Sequence, residues 1–401
     1  MSKTSLMAIL ISCFSLCFAI HSANGAATPP TPATRPAATP LRAFSPEVKA
    51  EIAAIGKIGR ASTQSSKFPD LELARIAIPL AMAGDFEGAL AATQKGGSFN
   101  NAAAGWVVVL QQKAGGNPPT PQVLRRLRLS GGDNFDKGMA EAYAWAGDLP
   151  NARKTIAGMY AEIDPDHLEA RLAVLRHQPN KQDLADVVKR AAKTTPADIR
   201  IMERIAGIHI LLGDLDAARR MIDGLPDADR KANVLWQIAR AQAIAGDIAG
   251  AIKTAEQIPP RECITQYEQA YTVIAIVRAA AGDEAGTTEA ASKIKGLGMA
   301  RAQSLSVYAR ARAGDTAGAA SLCEQLSKRS PDTTGALGYG LLAYDALNRN
   351  DVPAAVKFIQ EGRKLVETTR RNPDKVSAAT RLLATIVQGH WAVETEGFID
   401  L

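Results

Sequence analysis

Aspartate is the residue whose spacing first suggests chemistry. It stands third in a returning phrase, Ala-Gly-Asp or a near copy, at Asp85, Asp148, Asp214, Asp247, Asp283 and Asp315. Paired carboxylates can serve as general acid and base. A catalytic pair, however, is not repeated six times along a chain. The Gly-to-Gly step from 213 to 246 is 33 residues, and from 282 to 314 it is 32. A period in that range is the mark of stacked helical repeats. In such a repeat the phrase has a structural reading: Gly ends one helix and Asp caps the next. Asn350-Asp351 is a weaker copy.

The other reactive side chains give no constellation. His167, His177, His209 and His390 lack metal-ligand spacing. There is no Gly-x-Ser-x-Gly, phosphate loop, dinucleotide fingerprint or His-Glu-x-x-His. No catalytic residue, metal ion or cofactor is expected. Of four cysteines, Cys13 and Cys17 lie in the first residues, and Cys263 and Cys323 lie two repeats apart. Packed hairpins would separate the latter pair by roughly 15–20 Å, whereas a disulfide needs α-carbons within about 7 Å. Two free thiols are expected, Cys323 buried and Cys263 more accessible. Net charge is +6 over 401 residues, with small basic runs at Arg125-Arg126-Leu127-Arg128, Lys328-Arg329 and Arg370-Arg371. Without a continuous basic stripe no nucleic-acid partner is expected.

The elements that carry these residues are helical throughout. Residues 1–25 have the order of a secretory signal: Lys3, an apolar run Leu6–Ile20, and a small-x-small site at Ala23-Asn24-Gly25. This implies a periplasmic or secreted protein, with no membrane insertion once the signal is removed. A lipid anchor at Cys13 and a retained anchor are the rival readings. Residues 26–44 form a Pro/Thr/Ala-rich linker. Ser45-Pro46-Glu47 opens the first helix, with Ser as N-cap and Pro in the first turn. In the clearest unit, Val234, Ile238, Ala241 and Ala245 share one helix face, Gly246 stops that helix, and Asp247 starts another that ends before Pro259-Pro260. Turns of this kind fall near 84, 115, 147, 180, 213, 246, 282, 314 and 350, giving nine antiparallel hairpins over 45–390. Lys375 to Gln388 is a closing helix and 391–401 a C-terminal tail.

Small residues recur seven places before the turn glycine (Ala77, Ala140, Ala206, Ala239, Ala275) and five after it (Ala89, Ala152, Ala218, Ala251, Ala319). With the period, these positions resemble the tetratricopeptide repeat from about residue 70 to 370. Val307 and Thr287 depart from the pattern. The resemblance implies an all-α, right-handed α-solenoid whose first helices line a concave groove for a protein or peptide. Positions two, six and ten before the turn would then face the groove. They place Lys137, Glu141, Trp145, Glu203, Trp236, Arg240, Tyr308, Arg312 and Tyr344 there. The function expected is that of an exported, non-catalytic scaffold or adaptor. The alternatives are an accessory solenoid of an envelope glycan-processing enzyme system and a structural spacer. Each hairpin should touch only its neighbours, so loss of end repeats should be tolerated better than loss of central ones.

Overall fold

The computed structural model describes residues 43–63, 69–94, 97–116, 125, 133–159, 165–191, 199–225, 227–295, 297–329 and 334–393. The signal-like residues 1–25, most of the linker, Arg126–Arg128 and most of the C-terminal tail lie outside them. Among the described residues there are nineteen α-helices and no strand, so the protein is all-α. No described helix is long and apolar enough to cross a membrane. The chain divides into two compact units, one over 160–270 and one formed by 38–159 with 271–401.

Eight of the nine expected turns, all but the one at Gly115, fall between described helices, and the capping chemistry explains why. The Gly246 N–H donates to Ala243 O (2.9 Å) and the Asp247 N–H to Gln242 O (2.9 Å), the two bonds of a Schellman end. Gly246 takes φ +85°, which glycine adopts without a Cβ penalty. The Asp247 carboxylate then accepts from the Gly250 N–H at 2.8 Å, capping the following helix. One aspartate therefore serves two helices, its amide the first and its carboxylate the second. The same carboxylate-to-amide bond forms at Asp85 (2.9 Å), Asp148 (3.2 Å), Asp214 (3.0 Å), Asp283 (2.8 Å), Asp315 (2.7 Å) and Asp351 (3.1 Å). Two turns lack glycine: Asn350 takes φ +59° in one, and in the other the Asn180 side chain accepts from the Asp183 N–H at 2.8 Å. The turn at Gly115 is present (φ +74°), but the helix expected after it lies outside the described residues.

A built Cβ at Gly246 meets nothing within 4 Å. Gly246→Val should therefore cost about 1 kcal/mol or more through backbone conformation alone. Asp247→Ala should cost a similar ~1 kcal/mol through the lost cap. Thermal unfolding of both variants measures this, and unchanged midpoints would mean that these caps do not hold the turn.

In the 160–270 unit the helices are α7 (Pro165–His177), α8 (Lys181–Ala191), α9 (Ile199–Leu211), α10 (Leu215–Ile222), α11 (Ala228–Ile244), α12 (Ile248–Ala255) and the start of α13 (Ile264–Ala280). First helices α7, α9 and α11 pack side by side, and each second helix packs on its own first helix. The small positions are where they meet. Ala206, Ala239, Ala218 and Ala251 have no exposed surface, and neither do Ala77, Ala140, Ala275, Ala89, Ala152 and Ala319. The two departures, Val307 and Thr287, are equally buried. The Thr287 hydroxyl is accommodated by donating to Asp283 O at 2.6 Å.

The other unit begins with α1 (Pro46–Ser62), α2 (Pro69–Met82), α3 (Phe86–Thr93), α4 (Ser98–Lys113), α5 (Asp133–Trp145) and α6 (Leu149–Ala157). It ends with α14 (Glu284–Ser292), α15 (Leu297–Arg312), α16 (Thr316–Arg329), α17 (Ala336–Asn348), α18 (Val352–Thr368), α19 (Asn372–Gln388) and a 3-10 turn, Gly389–Val393. Ser45 caps α1 as expected, its side chain accepting from the Val48 N–H. The packing here overturns the neighbours-only expectation. Helix α19 lies between α17 and α2, and α1 packs on α19, α18, α2 and α3. The last described helix thus takes a first-helix place, and the first described helix takes the second-helix place beside it. A composite hairpin is built from two distant parts of the chain. Glu51 on α1 accepts from Gln360 Nε2 (3.1 Å) and pairs with Arg363 (2.7 Å) on α18. Thr380 on α19 reaches Glu72 on α2.

Both Cys263 and Cys323 are free and buried. The greater accessibility expected of Cys263 is corrected: it is 1% exposed. The turn before α13 folds inward there, with the Cys263 N–H on Pro259 O and its thiol against Asp229. Burial pushes the Cys323 thiol up to about 12, so neither sulfur is an activated nucleophile.

Candidate functional site

The nine residues expected to face a groove separate into three groups. On α5, they stitch the fold. Glu141 is 2% exposed and accepts from Trp106 Nε1 on α4 at 3.4 Å. Trp145 packs on the same indole, ring centroids 5.8 Å apart. Beside them the Tyr143 hydroxyl donates to Gln112 Oε1 at 2.8 Å. Lys137 is half-buried on the same helix. Glu141 is corrected from groove contact to buried partner of Trp106. The indole N–H needs an acceptor once buried, and a carboxylate one helix away supplies it.

On α15 and α17 the expected aromatic face is covered by the chain itself. Tyr308 is 2% exposed, its ring stacked on His390 at 5.2 Å and 21°. Tyr344 meets the same imidazole edge-on at 6.1 Å. Arg312 stays exposed, its Nε donating to Ala280 O at 3.3 Å and its Nη1 lying 3.7 Å from Asp345. Burial raises the Tyr308 hydroxyl above its usual range and holds His390 down at about 4. Tyr308 is therefore corrected as well: it packs against the 3-10 turn instead of facing solvent.

The third group, in the 160–270 unit, is the open one. Glu203 on α9 accepts from Arg230 Nη1 (2.8 Å) and Asn233 Nδ2 (3.3 Å) on α11. Gln266 on α13 donates through Nε2 to Asn233 Oδ1 at 3.0 Å. A polar ladder so crosses three successive first helices. It borders an open cleft of about 540 Å3 lined by Asp229, Arg230, Asn233, Glu262, Thr265 and Gln266. Ile264, also in this lining, is 49% exposed. Trp236 and Arg240 follow on α11, each partly exposed. Asn233 and Gln266 escaped the sequence reading. Their separation, 266 − 233 = 33 residues, is the repeat period, and the signal that finds them is an amide recurring at that step.

No group of three or more His, Cys, Asp or Glu side chains that could hold a metal ion occurs among the described residues. The arrangement offers hydrogen-bond donors and acceptors, a cation and aromatic surface, the materials of recognition. No family model matches the chain, and no curated protein matches it.

Proposed function

We propose that the chain is a tetratricopeptide-like solenoid of about nine hairpins, exported through residues 1–25, acting as a non-catalytic scaffold or adaptor. It holds an extended protein segment on the first-helix face of the 160–270 unit. The carrying observation is the Glu203–Asn233–Gln266 ladder beside an open cleft. A side-chain amide presents a donor and an acceptor together, as a peptide group does. Amides repeated at the helix spacing therefore suit an extended backbone, with Trp236 and Arg240 as anchors of the kind that dominate interfaces. Glu203, Trp236 and Arg240 remain as binding residues, and Lys137, Trp145, Arg312 and Tyr344 lie outside this face.

Crosslinking of the mature protein in its native compartment should yield a protein partner joined within 230–266. Recovery of glycan alone would replace this reading with the glycan-processing one. The double variant Trp236→Ala/Arg240→Ala should weaken partner binding at least tenfold while far-ultraviolet circular dichroism stays unchanged. Loss of helicity in that variant would make both residues packing groups.

A further inference from the structure

The hairpin made by α19 and α1 differs from its neighbours in how its partner is chosen. In the same unit α2–α3, α5–α6, α15–α16 and α17–α18 are each joined by a short capped turn. There the chain itself brings the two helices together. No such turn joins α19 to α1. Glu51 and Gln360, which meet across this closure, stand 309 positions apart. The pairing is selected by the fit of two surfaces, and every copy of the chain carries both.

The fit is close on every side of α1. A Cβ on Gly56 would stand 2.7 Å from Leu80 Cδ2 on α2, and one on Gly59 would stand 3.2 Å from the Ala379 Cβ on α19. At the rim Glu51 pairs with Arg363 on α18 at 2.7 Å, and Arg60 Nη1 donates to Gly88 O on α3 at 3.1 Å. Helix α1 thus fills a place walled by α18, α19, α2 and α3. It is also the first described helix, and one connection, residues 63–68, leads from it to α2. Moving α1 into the identical place on another copy interrupts no other described helix.

We propose that two copies of this chain exchange α1, each copy's helix filling the place beside the other's α19. The exchanged pair keeps the contacts that α1 makes in the closed chain. It differs by the cost of association, which falls as concentration rises. Because α1 packs on four helices, it trades places while the chain folds. Capture by a second copy then competes with closure within one chain, and only capture speeds up with concentration. The pair so formed carries two 160–270 units, each with its own first-helix face.

Crosslinking of the full chain tests this. Protein with Glu51→Cys is mixed with protein with Gln360→Cys, unfolded, refolded together and treated with a short bismaleimide. Cys263 and Cys323 are buried and stay unreacted. A link from residue 51 to residue 360 then forms only between two chains, and peptide mass spectrometry identifies it. The linked dimer should appear. While it is the minor form, its ratio to monomer should rise about tenfold for each tenfold rise in concentration. A chain carrying both substitutions should link internally, which shows that the two positions are within reach. An internal link in that chain without a link in the mixture would overturn the proposal, as would a mixed link that ignores concentration. Absence of the internal link would overturn it too, because the closure would then lie elsewhere. Charge reversal gives a second reading if the cysteine variants fail to fold. Glu51→Arg and Arg363→Glu each set like charges across the closure. Refolded together, they regain opposite charges at both closing hairpins only by exchange, reversed with reversed and native with native. The dimer measured by light scattering should exceed that of either variant alone several-fold, and an equal share would overturn the proposal.

Discussion

Deletion of Pro46–Ser62 is expected to unfold the unit formed by 38–159 and 271–401 instead of trimming it. An end helix of an open repeat array contacts one neighbour and is dispensable. Helix α1 contacts four helices from both parts of the unit. Val48, Ile52 and Ile55 on its inner face have no exposed surface. Burying each contributes about 1.5–3 kcal/mol, so the three together approach the whole stability of a typical domain, about 5–15 kcal/mol. The deletion would also uncover the apolar flanks of α2 and α19 and take Glu51 from Arg363, leaving it Glu367 at 3.4 Å. The expected result is loss of most of the cooperative melting of this unit, read by circular dichroism. A truncated protein melting at the full-length midpoint would show that the closure contributes nothing. A point variant reports on the same contact. On Gly59 a Cβ would lie 2.9 Å from Ile76 Cδ1 and 3.2 Å from the Ala379 Cβ. Gly59→Val should therefore push α1 away from both helices at a cost of about 1–3 kcal/mol.

Gly138→Val should be the most damaging single substitution. Helices α4 and α5 touch backbone to backbone. A Cβ on Gly138 would stand 2.1 Å from Ala102 O, and one on Gly105 would stand 2.4 Å from Phe135 O. A flexible side chain could move aside, but a helix carbonyl cannot without shifting its helix. Separating the two helices would open the contact between Trp106 and Glu141 and loosen Phe135, all buried at 2% exposure or less. Overpacking costs about 1–3 kcal/mol where side chains can yield. With backbone on both sides the loss should reach about 3 kcal/mol or more, which in a unit of this size lowers the midpoint by roughly 6–12 °C. Thermal unfolding gives the midpoint, and a red shift of tryptophan emission would report the opened indole. Wild-type melting of both Gly105→Val and Gly138→Val would mean that the two helices do not approach this closely.

What could be read from residues alone was what is settled within a few positions of chain. The turns were legible because their bonds are local. Gly246 and Asp247 reach back to Ala243 and Gln242, and Asp247 reaches forward to Gly250. The small positions were legible for the same reason: a helix pair joined by a two-residue turn must approach closely at fixed offsets from that turn. The fate of the outward faces was not legible, because an amphipathic stripe states that a face is buried and not against what. Val48, Ile52 and Ile55 mark α1 as half-buried, but its partner residue Gln360 lies 309 positions from Glu51. Tyr308 and Tyr344 look like binding aromatics until His390 is seen lying on them. The division at 160 and 270 leaves no mark on the spacing of the turns: helices joined by a capped turn stand on either side of 160, and 270 falls inside α13. Local sequence determined where the helices start and stop. Only the tertiary structure decided which distant faces pair, because one repeat's apolar face is chemically much like another's, and closure depends on fit between surfaces that local sequence cannot compare.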